Sequence, residues 1–174
     1  MHIALAELQV PFEEEIIDLA VPRTPEYLRI NPRGLVPTME YDGEVLTESA
    51  IVAGFLADTF PSALLPASST PGGPRTRAKI AFFVDTYFSK AHGLLMSIMS
   101  AKSDGEAKNL ADEFVNVLAT ELDPLLVDAK PFFGGSPKLT LAEVRSPSPS
   151  ACPPCPRATS LQLPACVSYV CHLP

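Results

Sequence analysis

The chain has 174 residues, 47% of them apolar, and a formal net charge of −7 at pH 7, with an isoelectric point near 4.9. This length and apolar content can support one generous domain or two small ones. The acidic balance has the wrong sign for a protein that binds nucleic acid through its phosphates. The opening residues lack the basic segment of a signal peptide, and no run reaches the ~20 apolar residues of a membrane span. We therefore expect a cytosolic protein.

The first thirty residues predict three short elements. "HIALAEL" predicts an amphipathic helix that carries Ile3, Leu5 and Leu8, although no capping residue precedes it. "FEEEIIDL" is typical of a strand, and "TPEYLRIN" predicts a short helix with Thr24 as its cap and Pro25 in its first turn.

The next thirty residues predict a hairpin and a helix. "PTMEY" and "EVLT" are joined by Asp42 and Gly43, a pair that favours a tight hairpin turn. "ESAIVAGFLADTF" follows as a helix whose periodicity predicts burial of Ile51, Phe55 and Leu56. Together with the preceding elements they predict a compact mixed α/β unit.

After a stretch rich in proline and glycine at 61–74, the pattern becomes helical throughout. Two long helices are predicted from apolar residues at helical spacing, which are Ile80, Val84, Tyr87, Ala91, Leu94 and Ile98 in the first and Leu110, Phe114, Val117, Leu118, Leu122 and Leu125 in the second. Pro124 should kink or end the second helix. "FFGG" predicts a turn, and Thr140 with Glu143 has the pattern of a capping box that begins a third helix.

From Arg145 onward the sequence holds seven prolines in thirty residues and no sustained period, which predicts a disordered tail foreign to the fold. All four cysteines lie in its last 23 residues, at Cys152, Cys155, Cys166 and Cys171. The "CPPC" motif lacks the flanking strand and helix of a redox site, and the spacing of the four is not a common zinc pattern. We expect incidental thiols and no metal site.

The motifs "NPRGLVP", "DGEVLTESAIV" and "FFGG...LTLAEV" stand in an order that resembles the cytosolic glutathione transferases, closest to the omega-like and fungal branches. The resemblance covers roughly residues 1–144. It implies a thioredoxin-like glutathione-binding domain at 1–62, with its first strand missing. A linker at 63–74, an all-helical domain at 75–144 and the tail at 145–174 complete the predicted organisation.

Two positions before the hairpin are candidates for contact with glutathione. A proline that opens a strand cannot donate a ladder hydrogen bond, and the residue before a cis proline turns its backbone groups away from the sheet. The resemblance implies that Pro37 is cis and that Val36 pairs by its backbone with the cysteinyl part of glutathione. An ordinary trans proline at a strand start is the alternative.

The next helix start offers an anion site, because its unpaired N–H groups and positive dipole end favour a carboxylate. The resemblance implies that Ser49 binds the γ-glutamyl carboxylate through its hydroxyl and N–H. It also implies that Glu48 meets the α-ammonium or orients the loop. The alternative is that Thr47 caps the helix and Glu48 only complements its dipole.

Further candidates are weaker. Arg23 matches a basic position that, in omega-like members of the resembled family, helps to hold the glycyl end of glutathione, with a solvated loop arginine as the alternative. In the first long helix, the resemblance implies contact with an electrophilic co-substrate, with Tyr87, His92 and Met96 as candidates. A tyrosine or methionine at helical spacing is more often part of the core, and a histidine such as His92 is more often a satisfied helix residue than a catalyst. We expect the acidic run Glu13–Glu15 to be a solvated face.

The catalytic residue is not assigned. In the resembled family it lies at the start of the first helix, after the first strand, and that segment is expected before Met1. We therefore expect a chain truncated at its N-terminus and replaced at its C-terminus, with the strand "EEIIDL" left without its central neighbour.

The function implied is that of a glutathione S-transferase, with glutathione as co-substrate, an electrophile or disulfide as second substrate, and a homodimer when complete. The reaction would be conjugation or glutathione-dependent thiol transfer, and we expect the 174-residue chain itself to be inactive. The alternatives are a non-catalytic transferase-like module for protein assembly, or an unstable product with no function of its own.

Overall fold

The computed structural model describes residues 1–146 and the backbone of residues 167–172. The described chain divides into two compact units. The first contains residues 1–60 together with the C-terminal strand, and the second contains the residues from 61 to 146. An α/β unit followed by an all-helical unit agrees with the predicted fold class.

The first unit opens with helix α1 (His2–Leu8), strand β1 (Glu13–Asp18) and helix α2 (Pro25–Ile30). The hydroxyl of Thr24 accepts a hydrogen bond from the N–H of Tyr27 at 3.2 Å, and Pro25 occupies the first turn of α2. Both features confirm the predicted start, because a threonine cap satisfies a free N–H and proline has no N–H to leave free.

The hairpin consists of strand β2 (Thr38–Tyr41) and strand β3 (Glu44–Thr47), which pair antiparallel. Asp42 and Gly43 connect them with φ values of 50° and 74°. Two successive positive φ values match the twist of the flanking strands and favour Asp-Gly. The predicted hairpin is confirmed, and helix α3 (Ser49–Thr59) follows it.

The sheet has a fourth strand that the sequence did not predict. Strand β4 (Val167–His172) lies between β1 and β2, in the order β1-β4-β2-β3, antiparallel to β1 and parallel to β2. The expectation that β1 would lack a neighbour is therefore wrong.

The expectation of a disordered tail is likewise wrong at Val167–His172. The prediction of disorder rested on the number of prolines in the whole tail. The segment "VSYVCH" contains no proline and is rich in residues that favour strands. The backbone groups of β1 and β2 find their partners there. The remainder of the tail lies outside the described residues.

The core of the first unit lies between the helices and the sheet. It includes Ala4 and Leu5 of α1, Met39 of β2, and the α3 residues Val52, Ala53, Leu56 and Ala57. The prediction that Ile51 is buried is wrong, since its side chain is 59% exposed, and Ile3 on the amphipathic helix α1 is 54% exposed. The buried α3 residues repeat at four-residue intervals beginning at Val52, so Ile51 falls on the opposite edge of the helix.

The second unit begins with helix α4 (Gly73–Thr86), a π-helical segment (Tyr87–His92) and helix α5 (Gly93–Met99). Ile80, Val84, Tyr87 and Ala91 are buried, as their spacing predicts. The predicted single long helix is interrupted, because the π-helical segment widens the turn between α4 and α5.

The second predicted helix is α6 (Asp104–Val117), followed by a π-helical segment (Leu118–Leu122) and a 3₁₀ turn (Asp123–Leu126). The hydroxyl of Ser103 caps α6 by accepting from the N–H of Glu106 at 3.2 Å. The regular helix ends ahead of Pro124, as predicted, because proline removes a backbone donor and crowds the preceding turn.

The last described elements of this unit are a 3₁₀ turn (Phe133–Gly135) and helix α7 (Leu141–Arg145). The predicted capping box is confirmed at α7. The hydroxyl of Thr140 accepts from the N–H of Ala142 at 3.1 Å, and the N–H of Thr140 donates to Oε2 of Glu143 at 2.9 Å. Within the described residues, none of the helices has the length and apolar character needed to cross a bilayer.

Candidate functional site

A buried hydrogen-bond network holds the loop between α2 and β2. Asn31 is 3% exposed, and its Nδ2 donates to the carbonyl of Leu35 at 2.7 Å and to Oγ1 of Thr38 at 3.1 Å. The hydroxyl of Tyr27 lies 2.8 Å from the same Thr38 oxygen and donates to the carbonyl of Leu35. The N–H of Arg33 donates to Oδ1 of Asn31 at 3.1 Å. Buried and fully used polar groups of this kind specify a single loop conformation.

Arg23 braces the same loop from outside. Its Nε donates to the carbonyl of Gly34 at 3.0 Å, and its Nη1 donates to the carbonyls of Asp18 and Val21 at 2.9 and 3.0 Å. Gly34 has a φ of 63°, and a Cβ there would lie 3.3 Å from Cγ of Arg23 and from Cδ2 of Leu28. Only glycine meets both constraints without strain.

The loop delivers Val36 and Pro37 to the start of β2. Their peptide bond is cis, as the family resemblance implies. Both residues are half-buried. The register of β2 with each neighbouring strand begins at Thr38, so the N–H and C=O of Val36 lie outside the ladders.

The N-terminus of α3 has no side-chain cap. Its N-cap residue is Glu48, not Thr47, and no side chain there accepts from the first turn. Among the described residues, the N–H groups of Ser49, Ala50 and Ile51 have no acceptor. Glu48 and Ser49 are exposed, and Glu48 holds a φ of 73°, which is unusual for a residue with a side chain. Free N–H groups at a positive dipole end favour an anion.

An ion pair connects the loop with this helix end. Nη1 of Arg33 lies 2.7 Å from Oε1 of Glu48, and the two side chains are 63% and 48% exposed. Sequence reasoning missed Arg33 because its partner is fifteen residues away. It also missed Tyr27, Asn31 and Thr38. The "NPRG" motif contains Asn31, but the sequence alone does not show which groups its side chain contacts in the folded loop.

The candidates in the second unit lie along the α4–α5 region. Tyr87 is 4% exposed and burial raises its pKa, while its hydroxyl has no hydrogen-bond partner among the described residues. The ring centroids of His92 and Phe88 lie 5.0 Å apart. The Nδ1 atom of His92 is also buried and has no hydrogen-bond partner among the described residues. Met96 is 48% exposed on α5. These contacts place Tyr87 in the core and leave Met96 accessible.

The other sequence candidates do not form a site. Glu13, Glu14 and Glu15 are all exposed along β1, as predicted, and His2 lies 3.4 Å from Glu14. In the part of the chain that the structure describes, no group of three or more potential metal ligands comes together. Three of the cysteines, Cys152, Cys155 and Cys166, lie outside the described residues, so the predictions made for "CPPC" stay predictions.

Comparison with known proteins assigns a family. Residues 1–59 match the family model for the N-terminal domain of glutathione S-transferases. The chain is 39% identical over 79 residues to glutathione S-transferase GST-4.5 of Xanthomonas campestris, a match that covers 45% of this chain and 37% of that protein. It is 30% identical over 152 residues to a probable maleylacetoacetate isomerase of Caenorhabditis elegans, which covers 84% of this chain and 69% of that protein.

Solved structures show the same fold. Glutathione transferase Omega 3C from Trametes versicolor matches with a TM-score of 0.66 at 24% identity, over 82% of this chain and 62% of that one. Of the two curated relatives named above, the chain spans 37% of the length of GST-4.5 and 69% of the length of the probable maleylacetoacetate isomerase. From the family model, the relatives and the fold together, we conclude that the chain belongs to the glutathione S-transferase family.

Proposed function

We propose that the chain binds glutathione in the first unit, between the loop that ends at Pro37 and the N-terminus of α3. The observation that carries this proposal is the uncapped first turn of α3, where Glu48 and Ser49 are exposed beside free N–H groups. The γ-glutamyl end of glutathione carries one carboxylate and one ammonium on the same carbon. A helix N-terminus next to a glutamate offers a partner for each.

In this proposal each end of the peptide has its own contacts. The hydroxyl and N–H of Ser49 bind the γ-glutamyl carboxylate, and the carboxylate of Glu48 accepts from the ammonium. The N–H and C=O of Val36, which lie outside the strand ladders, pair with the cysteinyl part beside Pro37. This arrangement adds a short extended peptide to the end of a strand, a common mode of peptide recognition.

The glycyl end is assigned to Arg23. Its Nε and Nη1 are committed to backbone carbonyls, whereas its Nη2 has no partner among the described residues. One guanidinium can brace the loop with two nitrogens and offer the third to a carboxylate. Arg23 is half-buried, which favours this double role over that of a solvated arginine.

The reaction proposed is the transfer of the glutathione thiol to an electrophile or a disulfide, in the cytosol and in a homodimer. The similarity to the relative named glutathione S-transferase GST-4.5 supports this class. The family resemblance assigns no thiolate-stabilising residue within the 174 residues.

Calorimetric titration with glutathione tests the proposal. Ser49→Ala removes one hydrogen bond to a carboxylate, and we expect the dissociation constant to rise about tenfold or more. Ser97→Ala is the control, since Ser97 is exposed on α5 and donates only to the carbonyl of Gly93. An unchanged constant for Ser49→Ala, within about twofold, contradicts the carboxylate assignment. The absence of binding by the unaltered chain contradicts the proposed function.

A further inference from the structure

The carboxylate of Glu48 uses only one of its two oxygens within the described chain. Oε1 accepts from Nη1 of Arg33 at 2.7 Å, and Oε2 has no partner among the described residues. Each carboxylate oxygen can accept two hydrogen bonds, so an arginine on one oxygen leaves the other open. The ion pair therefore does not block Glu48 from a second cation.

Arg33 reaches Glu48 from a fixed point. Its backbone N–H donates to Oδ1 of Asn31 at 3.1 Å, and Asn31 is buried in the loop network. Gly34, the next residue, donates its N–H to the carbonyl of Asn31 at 2.9 Å. The arginine side chain thus begins at a position that the interior of the unit determines.

Glu48 has no comparable restraint of its own. Its side chain is 48% exposed, and a free glutamate at such a site would sample many rotamers. Holding one oxygen orders the carboxylate before a ligand arrives, so that less conformational entropy is lost on binding. An exposed ion pair of this kind contributes little to folding.

We propose that Arg33 is a positioning residue for ammonium recognition. It holds Oε1 of Glu48 and presents Oε2 to the α-ammonium of an amino-acid group whose carboxylate lies on the first turn of α3. This inference rests on the proposed function and adds specificity to it: the site selects a γ-glutamyl group that carries its amino group over a plain dicarboxylic acyl group. Arg33 itself touches no ligand atom in this arrangement.

The test compares two ligands that differ only in the ammonium. Glutathione and glutaryl-cysteinylglycine, which lacks the α-amino group, are titrated into the full chain and into Arg33→Gln. We expect Arg33→Gln to raise the dissociation constant of glutathione about three- to fivefold and to change that of the glutaryl ligand by no more than about 1.5-fold. Glu48→Gln should weaken glutathione selectively as well, and the double variant should lose little more than Glu48→Gln alone.

Arg29→Gln is the matched control, because it removes the same charge from an exposed arginine at the end of α2 and should change neither affinity. Equal weakening of both ligands by Arg33→Gln would mean that Arg33 binds the carboxylate directly. Tighter glutathione binding would mean that it competes with the ammonium, and no change would mean that it is a surface arginine. Each of these results overturns the inference while leaving glutathione binding itself intact. Failure of the unaltered chain to bind glutathione would overturn the proposed function and this inference together.

Discussion

Asn31 and Thr38 are joined inside the first unit by a hydrogen bond of 3.1 Å from Nδ2 to Oγ1, and both side chains are buried. This contact ties the end of α2 to the start of β2. Because Val36 and Pro37 lie between the two residues, their positions depend on it. The proposed glutathione contacts are therefore supported by polar groups that the ligand does not touch.

The first prediction concerns this support. Asn31→Ala leaves the N–H of Arg33 without its acceptor and the carbonyl of Leu35 with one donor fewer. We expect a loss of about 2–4 kcal/mol in the free energy of unfolding, because buried polar groups lose partners. Chemical denaturation followed by circular dichroism measures it. Asn116→Ala on the exposed side of α6 is the control, and an equal effect of the two substitutions would refute the supporting role.

The second prediction concerns Glu143, which links two parts of the helical unit. Its Oε1 accepts from the N–H of Phe133 at 2.7 Å, and its Oε2 accepts from the N–H and hydroxyl of Thr140 at 2.9 and 2.8 Å. Glu143→Ala removes both connections, and we expect a loss of about 2–3 kcal/mol, measured by urea unfolding. Glu113→Ala, on the exposed face of α6, should cost less than about 0.5 kcal/mol. Similar costs for the two would show that Glu143 is not a connecting residue.

The third prediction concerns the strand that completes the sheet. Val170 is in register with Glu15 of β1 and with Thr38 of β2. Proline at this position lacks the N–H of a central strand. We expect Val170→Pro to reduce protection against amide hydrogen exchange in β1 by at least about tenfold, while α6 keeps its protection.

Ala165→Pro provides the control for the strand, because residue 165 precedes its first residue, Val167. If β1 keeps its protection in Val170→Pro, the C-terminal segment is not what pairs with it. A uniform loss of protection in both units would instead indicate global unfolding, and a shorter exchange time at lower temperature would then separate the two effects.

The fourth prediction concerns pH and Tyr87. Its hydroxyl is buried without a partner in the described chain, and burial raises the pKa of this phenol above its usual value near 10. The phenol of Tyr87 therefore stays protonated to a higher pH in the folded state than in the unfolded state. The contribution of this difference to the free energy of unfolding is fully present below about pH 10. It is lost as the pH rises through the raised pKa of the folded state.

Tyr87→Phe removes both the buried hydroxyl and its ionisation. We expect a gain of about 1 kcal/mol in the free energy of unfolding at pH 7, and a flatter decline between about pH 9 and 11 than in the unaltered chain. Thermal melts at matched ionic strength measure both. A destabilised variant with an unchanged alkaline profile would show that the hydroxyl has a stabilising partner.

The sequence was sufficient where the determinants are local. The Asp42-Gly43 turn, the Thr24 cap with Pro25, and the pairing of Thr140 with Glu143 each lie within a few residues, and each is found as predicted. Such contacts follow from backbone conformation and short side-chain reach. The cis bond before Pro37 was implied by family resemblance, not by the residues themselves.

Two features that escaped prediction depend on contacts between residues far apart in the sequence. Strand β4 pairs with β1, which lies more than a hundred positions earlier in the sequence. Arg33 and Glu48 form an ion pair across fifteen positions. Periodicity placed α3 correctly but assigned Ile51 to the buried face, because the face that meets the sheet is chosen by tertiary packing. Arg23 was found as a candidate, but its three backbone acceptors could be recognised only from the folded loop.

The central claim is that one glutathione molecule binds across Val36 and the first turn of α3. Its most direct test is a titration of the isotopically labelled chain with glutathione, followed by amide chemical shifts. We predict that the amide signals of Val36, Ser49 and Ala50 move together with a single saturation, while those of α6 stay unchanged. Saturable shifts confined to the helical unit, or shifts at α3 without any at Val36, would contradict the account.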